Sequence, residues 1–201
     1  MGFVTGRVPV EPADLDYSVR LAHDAIAGAA SADWSAGAGT LTWSCRETAE
    51  HLVDDLLYYA SALAVRARRR LKLWIKLEES ASGEEIAQAI SAAGAVLGAV
   101  VEAAPPGARV LVFDDTEIDP EGYLALGVAE TLLHTHDVAE GFAMAFEPRH
   151  DVCERVLARL FPDVEPGAEN PWTMLRWVTG RVEAPGRAAV GDWKYHAAPV
   201  D

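Results

Sequence analysis

Residues 43–52 read Trp43-Ser44-Cys45-Arg46-Glu47-Thr48-Ala49-Glu50-His51-Leu52. Ser44 and Glu47 make a Ser-x-x-Glu capping box, in which each side chain satisfies a backbone N–H of the first turn, so a helix starts at Cys45. The apolar spacing carries it to about Leu77, with a break expected near Arg70. The same pair recurs as Ser82 and Glu85 and opens a third helix, which Pro105-Pro106 stops after Ala104. Upstream, Leu15, Val19, Ala22 and Ile26 recur at helical spacing between Pro12 and Ala30, and Ser31–Thr40 is the connection. Downstream, Asp119-Pro120 pairs an N-cap with proline at the first helical position, predicting a fourth helix to about Phe146. Asp151–Phe161 and Trp172–Thr179 are shorter helices, closed by Pro162 and Gly180. Val110–Phe113 is a strand fragment or buried connection. Four long helices with short links predict an all-α four-helix bundle over residues 1–150, with residues 151–201 as a short helical extension and tail packed on it.

The chain has 201 residues, half of them hydrophobic, and a formal net charge of −14. That balance suits one packed domain. Its charge repels nucleic acid and anionic membranes, so neither is expected as a partner. No basic start followed by an apolar stretch marks a leader, and the weakly polar run Ala89–Ala104 is shorter than a spanning helix needs. Cys45 and Cys153 cannot build a disulfide framework. Together these features predict a cytoplasmic protein with both thiols reduced.

The chemistry concentrates in Glu130-Thr131-Leu132-Leu133-His134-Thr135-His136-Asp137. Glu130 and His134, four apart, share one helix face, Asp137 stays near it and His136 points elsewhere. A carboxylate and an imidazole so stacked offer two metal ligands, and His51 on the second helix is the natural third. Three N/O ligands leave a position open for water or substrate, the pattern of a catalytic site. A Glu/His pair also arises by chance on a wet helix face, so spacing alone decides little. Asp55 and Tyr58 follow His51 by four and seven and line the same cavity, as candidate proton-transfer groups. Asp54 is expected on a solvated face, and Asp137 as the partner that orients a ligand imidazole. His23, His150 and His196 lack well-spaced partners. Arg66, Arg68, Arg69, Arg70, Lys72 and Lys76 form a basic stretch, expected as a solvated helix end facing the dipole. Cys45, Trp172 and Trp177 are expected as packing residues.

Trp43-Ser44-x-x-Glu47-x-x-x-His51-Leu52 resembles the start of the second helix in the DinB-like superfamily, in the branch of the mycothiol-dependent maleylpyruvate isomerase N-terminal domain. Glu130-x-x-x-His134-x-x-Asp137 resembles that branch's "E-x-x-x-H-x-x-D" motif, and Leu175-x-x-x-Thr179-Gly180-Arg181 its "L-x-x-x-T-G-R" segment. The resemblance implies an antiparallel bundle, often dimeric, in which His51, Glu130 and His134 bind a divalent metal, zinc in the first place and nickel in the second. It further implies thiol chemistry: a low-molecular-weight thiol such as mycothiol and a small electrophile, joined by a transferase or isomerase. The isomerase has a further C-terminal domain where this chain has residues 151–201, so isomerisation of maleylpyruvate itself is not expected. The same ligands would also serve a metal-dependent hydrolase, or a non-catalytic metal- or ligand-binding bundle.

Overall fold

A computed structural model describes residues 6–113, 116–165 and 169–200; residues 1–5, where the stretch read for a leader begins, lie outside the described residues. In chain order the elements are α1 Pro12–Gly28, α2 Cys45–Ala64, α3 Gly83–Ala103, β1 Val110–Phe113, β2 Thr116–Ile118, α4 Pro120–Gly141, α5 His150–Leu160 and α6 Pro171–Val178. The helix starts follow the capping chemistry. Ser44 accepts from the N–H of Glu47 and Ser82 from that of Glu85, with both glutamates returning the bond, while Asp119 accepts from the N–H of Gly122. Val110–Phe113 is a strand, paired antiparallel with β2.

The architecture is an all-α bundle with short C-terminal helices. Helix α1 packs on α3 and α4, and α2 packs on the same two. Leu15, Ile26, Leu52, Leu56, Ile86, Ile90, Leu97 and Leu132 fill the shared core. Helix α3 reaches further than the run read from sequence: over Gly83–Ala103 it is long and apolar enough to cross a membrane by length and composition. Its Ile86, Ile90, Ala93 and Leu97 are nevertheless buried in the bundle core. Helix α4 is buried along almost its whole length, from Gly122 to Ala139, because α5 packs on it as well. A helix buried on every face has no wet side for charge, so Glu130, His134 and Asp137 must find partners inside.

Two helices end earlier than their spacing predicts, and for one reason. Helix α2 stops at Ala64 rather than Leu77. Arg66 takes a left-handed φ of 49°, its N–H bonds Leu63 O, and the N–H of Ala67 bonds Ala62 O. Those two bonds define a Schellman cap, normally built on glycine. Helix α4 stops at Gly141 rather than Phe146 with the same device: Ala143 has φ 53°, and Ala143 and Met144 bond Glu140 O and Ala139 O. Helix α6 uses it a third time, here with Gly180 at φ 74°, and only there does the residue type announce the end.

The early stop of α2 frees the chain after Ala67 to run back along that helix as an extended strap. The N–H of Ile75 donates to Asp54 Oδ1 at 2.7 Å, and the Arg46 guanidinium bonds Ala81 O at 2.9 Å and Glu78 O at 2.5 Å. Asp54 is therefore buried under the strap and not on a solvated face. The cations from Arg68 to Lys76 lie beyond the helix, which has no basic residue in its last turn. At the other end of the chain, the fully buried Arg159 bonds Asp119 Oδ1, His196 O and Ala197 O at 2.9, 3.0 and 3.2 Å. Ala197 O comes so near Gly122 that a Cβ there would sit 2.6 Å away. The tail is thus tied down at the start of α4.

The αL conformation costs an L-residue about 1–2 kcal/mol relative to glycine. Arg66→Gly, at an exposed position, is expected to stabilise the protein by about 1 kcal/mol and raise Tm by about 2–4 °C. Scanning calorimetry checks it; no rise would mean that the Arg66 side chain compensates for its backbone.

Candidate metal centre

Two helices bring their polar side chains together. His51 leaves the second turn of α2, Asp55 follows it by one turn, and Glu130, His134 and Asp137 descend along α4. One donor atom each from His51, Asp55 and His134 lie within 4.8 Å of one another. His51 Nε2 is 3.2 Å from Asp55 Oδ2, and His134 Nε2 is 3.1 Å from Glu130 Oε2. Two imidazoles, each facing a carboxylate, form the donor set. Nitrogen and oxygen donors of this kind suit zinc or another first-row divalent ion, and their convergence fits such an ion.

The other side of His134 is occupied. Its Nδ1 is 3.2 Å from Asp137 Oδ2, and Asp137 receives a two-pronged bond from Arg181, Nε to Oδ1 at 2.9 Å and Nη2 to Oδ2 at 2.8 Å. A carboxylate on Nδ1 orients the ring and leaves Nε2 facing Glu130. Arg181 arrives because Gly180 turns the chain out of α6: the N–H of Arg181 closes that helix on Arg176 O at 2.8 Å. Arg181 thus directs its side chain inward from the residue just past the left-handed glycine. The Tyr59 hydroxyl donates to Glu130 Oε1 at 3.4 Å. The Trp43 ring meets His51 edge-on at 4.8 Å, and the His51 and His134 rings are 5.2 Å apart.

A cavity of about 310 Å³ opens on these groups, lined by His51, Glu130 and His134, by Thr40, Leu41 and Trp43 before α2, and by Thr179, Arg181, Trp193 and Tyr195. The C-terminal segment therefore forms part of its wall. Asp55 stands beside His51 as a further donor. Neither Tyr58 nor Asp55 is among the residues that line this cavity; the Tyr58 ring is buried against Tyr59, and the tyrosines that reach the site are Tyr59, at Glu130, and Tyr195, in the wall. His136 turns to the far side of α4, buried against Trp172 at 5.2 Å. His23 meets Ser91 and His150 meets Glu147, both away from the centre. Burial pushes the Cys45 thiol up and the Cys153 thiol up to about 12, so neither is an activated nucleophile. Arg181 was legible only as part of a motif, and nothing in the local pattern marked Tyr59, Trp193 or Tyr195.

The titration of the site follows from this packing. Burial holds the His51 pKa down, and the neighbouring His134 lowers it further, which favours the neutral imidazole. Burial acts the same way on His134, but the hydrogen bonds to Asp137 and Glu130 outweigh it and lift its pKa to about 9. Burial and the nearby Glu130 push the Asp55 carboxyl up to about 8. Burial opposes ionisation of Asp137, yet the bonds from His134 and Arg181 hold its carboxyl below the ordinary range.

Both raised groups carry stability that is lost as pH climbs. For His134 it is complete below 6.5 and gone above about 9, and for Asp55 it fades as pH rises from 3.8 through about 8. The Tm of chelator-stripped protein is therefore expected to fall between pH 6.5 and 9, while metal affinity rises over that window because the ligating imidazole must shed its proton. A flat calorimetric profile would contradict the assigned bonds of His134. Separately, Asp137→Asn is expected to weaken metal binding about 10–100-fold, measured by competition with a chromophoric chelator; unchanged affinity would mean that Asp137 does not orient His134.

The family model for the mycothiol maleylpyruvate isomerase N-terminal domain matches residues 18–139. The match takes in His51, Asp55, Glu130, His134 and Asp137 and covers well over half of the chain. No curated protein and no solved structure matches the chain. On the extent of the family match, the chain belongs to the mycothiol maleylpyruvate isomerase N-terminal domain family, a mycothiol-related branch of the DinB-like superfamily.

Proposed function

We propose that the protein is a metal-dependent enzyme of thiol chemistry, a transferase or isomerase that joins a low-molecular-weight thiol, mycothiol in the first place, to a small electrophile. The observation that carries this reading is the meeting of His51, Asp55 and His134 donor atoms within 4.8 Å, beside a cavity on which His51, Glu130 and His134 open. His51, Glu130 and His134 hold the divalent ion, zinc before nickel, with Asp55 as the adjacent carboxylate. When bound, the dication supplies the charge that keeps an entering thiol ionised at neutral pH.

The residues around it have separable tasks. Asp137 holds His134 by Nδ1, and Arg181 offsets the Asp137 charge, so the imidazole is aimed before any ligand arrives. Asp55 Oδ2, 3.2 Å from His51 Nε2, is the group placed to move protons at the site. Tyr59 holds Glu130 by its Oε1, the task expected of a neighbouring hydroxyl that keeps a ligand carboxylate in place. Thr40, Thr179 and Tyr195 give the cavity polar walls suited to a hydroxylated thiol. Trp43, Leu41 and Trp193 give the cavity apolar walls beside the metal ligands.

Cobalt-substituted protein tests the reading. Mycothiol is expected to produce a sulfur-to-cobalt charge-transfer band, His51→Ala to abolish it, and the wild type to consume the thiol together with a haloarene. A hydrolase would cleave an ester without thiol and leave the cobalt spectrum unchanged. If mycothiol, glutathione and bacillithiol all leave the spectrum untouched, the thiol reading falls while the family and fold stand.

A further inference from the structure

A second cavity, of about 320 Å³, adjoins the first across a wall formed by Trp43 and His51, which line both. Its other walls are Glu47 and Glu50 on α2 and Trp74, Ile75 and Lys76 on the strap. The two spaces differ in chemistry. The first reaches His51, Glu130 and His134 together and has threonine, arginine and tyrosine around it. The second touches only His51 of that set, and its broad surfaces are two indoles and an isoleucine.

Trp74 is the unusual residue here. It is 67% exposed, more than any other aromatic among the exposed large hydrophobic residues, and Trp43 is 40% exposed. Trp74 does not stand alone: with Trp43 and Ile75 it makes one contiguous apolar surface in the cleft, the kind that marks a ligand groove. Its backbone is not loose: the next residue, Ile75, is bonded to the buried Asp54, and the strap is tied again at Glu78 and Ala81 by Arg46. The ring is thus presented at a set place, one wall away from the donor set. Glu50, which lines the same cleft, has a buried Oε1 without a hydrogen-bond partner among the described residues. The Glu47 carboxylate is committed to the Ser44 cap.

We infer that the cleft between Trp43 and the 67–81 strap seats the second substrate, and that it selects a flat aromatic group carrying a hydrogen-bond donor. The indoles of Trp43 and Trp74 cover the ring faces, the Glu50 carboxylate at the cleft wall accepts from the donor, and the polar cavity is left to the thiol. This rests on the thiol-transfer reading for what the ring is for, but not for whether it binds. The basic strap acquires a purpose by the same argument: it carries Trp74 and Lys76 back beside His51, which a helix running on to Leu77 would not do.

Binding of 4-nitrobenzyl alcohol, an unreactive arene with a hydroxyl donor, is measured by equilibrium dialysis on metal-free protein, so that failure of the thiol reading does not touch the result. Trp74→Ala is expected to weaken binding about ten-fold and Trp74→Phe to restore most of it. Cyclohexylmethanol, which offers the same donor without a flat face, is expected to bind worse than the arene. In cobalt-loaded protein Trp74→Ala is expected to leave the mycothiol-induced spectrum unchanged while raising KM for a haloarene. Equal binding of the arene by wild type and Trp74→Ala, or equal binding of arene and cyclohexylmethanol, overturns the inference.

Discussion

The chain of contacts Arg181–Asp137–His134 is what the rest of the structure serves. Asp137 is fully buried and His134 nearly so, in a helix with no wet face. An ionised carboxylate there would be untenable alone. The two-pronged guanidinium bond satisfies both its oxygens and leaves one to orient the imidazole. Removing the cation would strand a buried charge, a loss larger than the pair's own net worth. The site is thus an arrangement of mutually dependent charges, and the bundle supplies the walls.

This dependence explains why the segment after the bundle belongs to the centre. Arg181 comes from the turn after α6, and Trp193 and Tyr195 from the tail, so residues 179–195 close a cavity whose donors lie on α2 and α4. Arg159 holds that tail by the carbonyls of His196 and Ala197 while its Nη2 also bonds Asp119, the cap of α4. Helix start, tail and cavity wall are joined through one buried guanidinium, and Gly122 gives the room for it.

The strap shows how a local stereochemical event reshapes a surface. Arg66 in the left-handed region ends α2 some four turns short of Leu77 (at 3.6 residues per turn), and everything after it is repositioned. Asp54 changes from a solvent-facing residue to a buried acceptor for Ile75, and the cations leave the helix altogether. An αL cap at an arginine or alanine is paid for by the packing around it. Ala67 and Met144 follow Arg66 and Ala143 with backbone bonds to Ala62 O and Ala139 O, which close both caps.

Local chemistry alone determined the helix starts, since Ser44-Glu47, Ser82-Glu85 and Asp119 satisfy backbone groups within their own first turns. It also determined the apolar spacing that makes a bundle, and the Glu130–His134–Asp137 face, because four residues along a helix always stack. Where Gly180 stood after α6, the end was legible too. The ends of α2 and α4 were not, because at Arg66 and Ala143 the left-handed turn is imposed by packing and not by residue type. Spacing did place Asp55 one turn from His51, but it could not choose Tyr59 over Tyr58 or bring Tyr195 to the cavity. Those depend on how α2 is rotated against α4 and where the tail is fastened, and such long-range contacts leave no mark on the residues nearby in the chain.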